Sequence, residues 1–281
     1  MGYLAFYDLK EQPFSIGVDD RFYFNSQQHA RALVKLAHAV EERKGLAVLV
    51  GATGTGKTTL ARKMLEELDE SEYEAALLVV LHSSVTADWV LRKIATQMGV
   101  QNPSKDRNDL IGQLYGRLIE IRDSGKKAVV LVDEAQMFQS REIMEELRGV
   151  LNIEPDGEKL ITFVLFGLPE LDHALYTYKP LHQCVAIRCL LQPLSEEMIL
   201  QYIQSRLDVA GSTRSLFTTD ALSHVSRYSG GIPRLVNTIC DNALLEGFLI
   251  KQPLIDGEVV QRVVFDLQLT DTSLSPVILP S

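Results

Sequence analysis

Eight consecutive residues of this 281-residue chain, Gly51-Ala52-Thr53-Gly54-Thr55-Gly56-Lys57-Thr58, satisfy in full the glycine-rich pattern that cradles phosphate. The glycines let the backbone curl so that its N–H groups converge on phosphate oxygens. A helix opening at this point adds partial positive charge. Lys57 would supply a point charge to the β- and γ-phosphates, Thr58 a hydroxyl to Mg²⁺, and Thr59 extends the binding segment. The second half of the chemistry is Asp133-Glu134. Asp133 would hold the shell of a Mg²⁺ ion, and Glu134 would polarise an attacking water. Together these residues predict binding of ATP with Mg²⁺, followed by hydrolysis.

Such residues work only if the chain brings them together. Residues 46–50 are a short continuous apolar run that ends in the glycines, and a helical pattern covers 57–68. Further buried strands are predicted at 75–81, 128–132, 160–166 and 184–190, with helices at 87–98, 109–122 and around 143–151. Alternating strands and helices predict an α/β fold with a parallel five-stranded sheet covered on both faces. Ligands in such sheets bind at the carboxyl ends of strands, where Asp133-Glu134 falls. One strand, 75–81, lies between the two motifs, an insertion that separates additional-strand ATPases from GTPases and small kinases. Beyond Pro193 the pattern becomes wholly helical, at 195–209, 219–228, 233–249 and 256–267. The expected organisation is a lead-in with a first helix (1–44), a nucleotide-binding domain (45–193), a helical lid (194–269) and a loose tail (270–281). The lead-in, with Pro13-Phe14 and Asp19-Asp20, reads as ordered and non-helical.

Composition narrows the classes. At 46% hydrophobic and 23% charged residues the chain is too apolar to be disordered. A net charge of −9 and the lack of a Lys/Arg-rich stretch argue against a broad nucleic-acid surface. The three Cys and six His show no metal-ligand spacing, and the odd Cys count suits reduced thiols in a cytosolic protein. The longest apolar run, 75–81, falls far short of the ~20 residues that span a bilayer. The expectation is a cytoplasmic protein without direct membrane insertion.

The chain resembles the AAA+ superfamily of P-loop NTPases and, within it, the ExeA family of general secretion pathway protein A ATPases. The resemblance is carried by the lead-in Phe6-Tyr7-Asp8-Leu9-Lys10-Glu11-Gln12-Pro13-Phe14, by Phe22-Tyr23-Phe24 with Ser26 and His29, and by Asp133-Glu134-Ala135-Gln136. Gly167 with Pro169-Glu170-Leu171, and Gly230-Gly231-Ile232-Pro233-Arg234, complete it. It implies that Arg234 is a sensor-2 arginine at the start of a lid helix, touching the γ-phosphate. It also exposes two departures. Leu168 stands where the family carries a polar sensor-1 candidate, and Cys184 where it carries a candidate arginine finger. Arg188 is the nearby substitute, on a strand whose alternation decides its direction. Hydrolysis is therefore expected to be slow or stimulated by a partner.

The resemblance implies a homo-oligomeric ring or filament that assembles or regulates envelope machinery: type II secretion, a type IV pilus or a related export system. Longer family members add a membrane span and a periplasmic cell-wall-binding region. This chain is expected to lack both and to reach the inner membrane peripherally, through a secretion or pilus protein. Two alternatives stand beside it. One is an ATP-dependent, DNA-binding regulator of transposition, which the −9 charge disfavours. The other is an ATP-dependent scaffold that scarcely hydrolyses, motivated by Leu168 and Cys184.

Overall fold

The computed structural model of the protein describes residues 2–15, 17 and 19–271. Along the chain the helices are α1 (Tyr3–Phe6), α2 (Gln27–Glu41), α3 (Lys57–Glu67), α4 (Ala87–Gln97), α5 (Arg107–Asp123), α6 (Arg141–Leu151), α7 (Pro169–Thr177), α8 (Lys179–His182), α9 (Glu196–Val209), α10 (Thr219–Ser229), α11 (Pro233–Leu249) and α12 (Gly257–Asp266). The strands are β1 (Leu46–Gly51), β2 (Tyr73–Val79), β3 (Lys127–Asp133), β4 (Ile161–Gly167) and β5 (Val185–Leu191). Contacts divide the chain into two units. One holds Gln27–Ala52 and Gly56–Leu191; the other holds the described residues up to Ser26, Thr53–Thr55 and the described residues from Gln192 onward.

The first unit is built on a parallel sheet of order β2-β3-β4-β1-β5. Every residue of β1 and β4 is buried, as helices on both faces require. Val48, Val130, Phe163 and Leu165 share one core with Leu91 and Ile94 of α4, Leu114 and Leu118 of α5, and Leu147 of α6. On the remaining strand positions α3 contacts β1 to β4, and α2 contacts β1 and β5. Helix starts follow local chemistry. Thr86, Asp106 and Ser140 each accept a backbone N–H in the first turn of α4, α5 and α6.

The second unit packs the lead-in onto the C-terminal helices. Tyr7, Phe14 and Phe22 are buried in one core with Ile203, Val225, Val236, Leu244 and Val260. Arg206 of α9 is buried beneath them. It donates to the carbonyls of Pro13 and Ser15 and to the Tyr202 hydroxyl, and its guanidinium lies 4.8 Å from the Phe22 ring centroid. Tyr202 in turn donates to Asn237 at 2.8 Å. Gly231, with φ +77°, has the Leu194 carbonyl oxygen 2.2 Å from where a Cβ would stand, so that position admits glycine alone.

The structure corrects two details. The lead-in is not wholly non-helical: Tyr3–Phe6 forms one helical turn, with Tyr3 and Phe6 packed on the helical core, and Asp20–Phe22 a 3₁₀ turn capped by Asp19. The second strand is Tyr73–Val79 rather than 75–81, because its ladder with β3 begins at the Tyr73–Lys127 pair. It lies at a sheet edge, only partly buried, and Leu81 falls outside it, exposed. The tail beyond residue 271 lies outside the described residues. Among the described residues no helix is long and apolar enough to cross a membrane.

Candidate nucleotide-binding site

The loop after β1 has the backbone that its glycines predict. Gly56 adopts φ +104° immediately before α3, and a Cβ there would stand 2.9 Å from Nε2 of His29. Glycine is thus required twice over, by conformation and by the buried imidazole of α2. Lys57 opens α3, is buried, and donates from Nζ to the carbonyls of Gly51 and Ala52 at 2.9 and 3.0 Å. Its ammonium is therefore held at the mouth of the loop. Thr58 and Thr59 continue the first turn of α3. Thr53, Gly54 and Thr55 cluster with the helical unit, and there the backbone N–H of Arg234 meets the Gly54 carbonyl at 3.4 Å. Arg234 follows Pro233, the first residue of α11, where a fixed φ suits the helix start.

Asp133 ends β3 and is buried. Burial pushes its carboxyl above the ordinary carboxylate range, and the charge of Glu134 adds to this. The Thr58 hydroxyl, the Glu134 backbone N–H at 3.0 Å and the Lys57 charge pull the other way. A buried carboxylate beside a threonine hydroxyl is the sparse, all-oxygen donor set that suits Mg²⁺, which keeps waters and phosphate oxygens for its other positions. The residues present fit that ion.

Glu134 follows in a left-handed conformation, φ +57°, uncommon for a residue with a side chain. Its Oε2 accepts from Nε2 of Gln136 at 2.5 Å, and Oε1 of Gln136 accepts the Leu168 backbone N–H at 3.1 Å. Gln136 is buried. Sequence reasoning quoted Gln136 only as part of a motif and did not foresee this bridge; a buried-type amide two residues beyond the acidic pair was the available signal.

The structure places Lys57 and Thr58 just after the carboxyl end of β1, and Asp133 and Glu134 at that of β3, one strand (β4) away, with the Thr58 hydroxyl bonded to Asp133. Arg188 lies three residues before the end of the edge strand β5, is exposed and pairs with Asp172 of α7. Cys184 precedes β5 with its thiol directed at the Pro180 carbonyl. Tyr3, Phe6 and Phe14 pack in the helical core, and Trp89 against the core of the sheet.

The sheet order, the phosphate loop and the acidic pair at the end of β3 define a class by fold: the chain has the α/β architecture of AAA+ P-loop ATPases. The family described as AAA domain matches residues 40–175. The chain is similar more particularly to general secretion pathway protein A: that protein of Aeromonas hydrophila is 36% identical over 249 residues, covering 88% of this chain and 45% of the relative. The chain thus spans a little under half the length of that relative. Among solved structures it is similar to the Aeropyrum pernix ORC2 protein in its ADPNP-ADP complexes, with TM-score 0.64, 16% identity, and 92% of this chain and 72% of that one covered. Drosophila ORC bound to DNA gives TM-score 0.69 and 15% identity, with 95% and 66% covered. These two likenesses are of fold.

Proposed function

We propose that the chain binds ATP with Mg²⁺ on the 51–59 loop and hydrolyses it, and that this cycle drives assembly or regulation of envelope machinery such as type II secretion or a type IV pilus. The observation that carries the reading is the similarity to general secretion pathway protein A over 88% of the chain. Mg²⁺, when bound, neutralises charge on the phosphate oxygens. Gly51 to Gly56 offer backbone N–H groups, and Lys57 adds the point charge. Thr58 and Asp133 hold the ion. Glu134 orients a water and takes its proton. Arg234 reads the γ-phosphate from the start of α11. Leu168 brings no hydrogen-bonding side chain and Cys184 no charge, so turnover is slow or rises when a partner supplies an arginine; in this scheme Arg188 serves a neighbouring subunit. The protein works in the cytoplasm as a homo-oligomeric ring or filament, held at the inner membrane by a secretion or pilus protein.

Steady-state phosphate release from wild type, Lys57→Ala and Glu134→Gln tests the enzyme. Loss of the loop lysine should abolish ATP binding. Glu134→Gln should bind ATP while turning over at least about a hundredfold more slowly, the usual worth of a general base. A wild type no faster than Glu134→Gln, with or without candidate partners, would leave a nucleotide-dependent scaffold. Deleting the gene tests the setting: lost secretion or piliation supports the envelope role, and altered transposition overturns it.

A further inference from the structure

We propose that Gln136 is a positioning residue that sets the Glu134 carboxylate for catalysis and couples it to the turn between β4 and α7. This rests on the ATPase reading above. The Leu168 side chain can neither donate nor accept a hydrogen bond, yet the turn that carries it is wired into the site by another route. Gln136 is 6% exposed, and its amide spans two elements. Nε2 donates to Glu134 Oε2 at 2.5 Å, and Oε1 accepts the Leu168 N–H at 3.1 Å. That N–H belongs to the residue capping α7, whose first turn closes through Leu171 N–H to the Leu168 carbonyl at 2.9 Å.

Three further observations fit. Glu134 holds a left-handed backbone, which persists where its surroundings over-determine it. The 3₁₀ turn Ala135–Met137 supplies part of that hold, through Met137 N–H to the Glu134 carbonyl at 2.9 Å. Gly167 keeps the route open: a Cβ there would stand 2.8 Å from Leu171 Cδ2 and 3.1 Å from Gln136 Oε1. Finally, the planar amide of Gln136 offers a donor to Glu134 and an acceptor to Leu168 at once. With one carboxylate oxygen bonded to Gln136, the other is aimed to accept from water. A shift of α7 then reaches the carboxylate through a single side chain.

The test uses the full chain with Gln136→Glu, Gln136→Leu and Gln136→Asn, the first two also combined with Glu134→Gln. Gln136→Glu keeps shape and the acceptor for Leu168 but loses the donor to Glu134. Gln136→Asn keeps both groups on a shorter arm. Phosphate release gives kcat and KM, and a fluorescent ATP analogue gives affinity. Gln136→Glu and Gln136→Leu should lower kcat by about tenfold or more, with analogue affinity within about threefold of wild type, and Gln136→Asn should recover part of the loss. In the Glu134→Gln background the same changes should alter the residual rate by less than about twofold, since both act through one carboxylate. Wild-type kcat in Gln136→Glu, or losses that multiply in the double variants, overturns the assignment. A wild type no faster than Glu134→Gln sinks the ATPase reading itself, whereas hydrolysis that is indifferent to Gln136 sinks only this inference.

Discussion

Asp133 carries a conflict that shapes its behaviour. Burial raises its folded-state proton affinity above the ordinary value of 3.8, so the folded chain holds that proton more tightly than the unfolded one. Stability is then lost as pH rises from 3.8 through the raised value, and the cost is fully present above that value. Asp133→Asn should therefore raise the melting temperature of the ligand-free protein above that pH; a stability difference of about 1 kcal/mol would read as about 2–4 °C. It should at the same time weaken Mg²⁺-dependent nucleotide binding, and a variant that loses both stability and binding would contradict this balance. Gly56→Ala should abolish binding of a fluorescent ATP analogue, because its Cβ meets Nε2 of His29 at 2.9 Å in a backbone that disfavours side chains. The loop and the acidic pair were legible in the sequence because their chemistry is local. The Gln136 bridge was not, since its partner Leu168 is 32 residues away and joins through a backbone group that no side-chain pattern reveals.

Elements were legible where burial is uniform and less so where it is not. The continuous apolar runs of β1 and β3 sit in the sheet as expected, both covered by helices. At the edge strand β2 the apolar run overshoots the ladder, because pairing with β3 and not hydropathy sets where a strand ends. Helix α7 was missed as an element although Pro169 stands at its first position, since its nine residues bury only Leu171 and Leu175. Local capping can be tested on α12. The Asp256 side chain accepts from Val259 N–H at 3.1 Å, and that bond, with one from Gln252, holds its carboxyl below the ordinary range. Asp256→Ala should cost about 1 kcal/mol of stability, the usual worth of an N-cap. A lowered folded-state value means the contribution is complete above 3.8 and vanishes as pH falls through the folded value. Thermal unfolding of wild type and variant should thus converge in acid; a gap that persists there would assign the effect to packing.

Across the whole molecule, charge bears on partners. Contacts to phosphate dominate binding to DNA, and a net charge of −9 supplies little for them. At moderate salt the chain with ATP should show no saturable binding to duplex DNA, and ATP-dependent binding with a steep salt slope would favour the transposition regulator. Sedimentation should show larger assemblies with ATP than without, and Lys57→Ala should remove the difference. The lead-in has a different consequence, for anyone moving this nucleotide site into another protein. The recognisable family segment starts at residue 40, yet Tyr7, Phe14 and Phe22 fill the core of the C-terminal helices, and Pro13 and Ser15 supply carbonyls to the buried Arg206. A graft cut at the start of that segment would strip those helices of aromatic filling and leave a buried cation without two of its acceptors. The transplantable piece is therefore discontinuous in sequence, and the opening residues must travel with the helices that close the chain's described part.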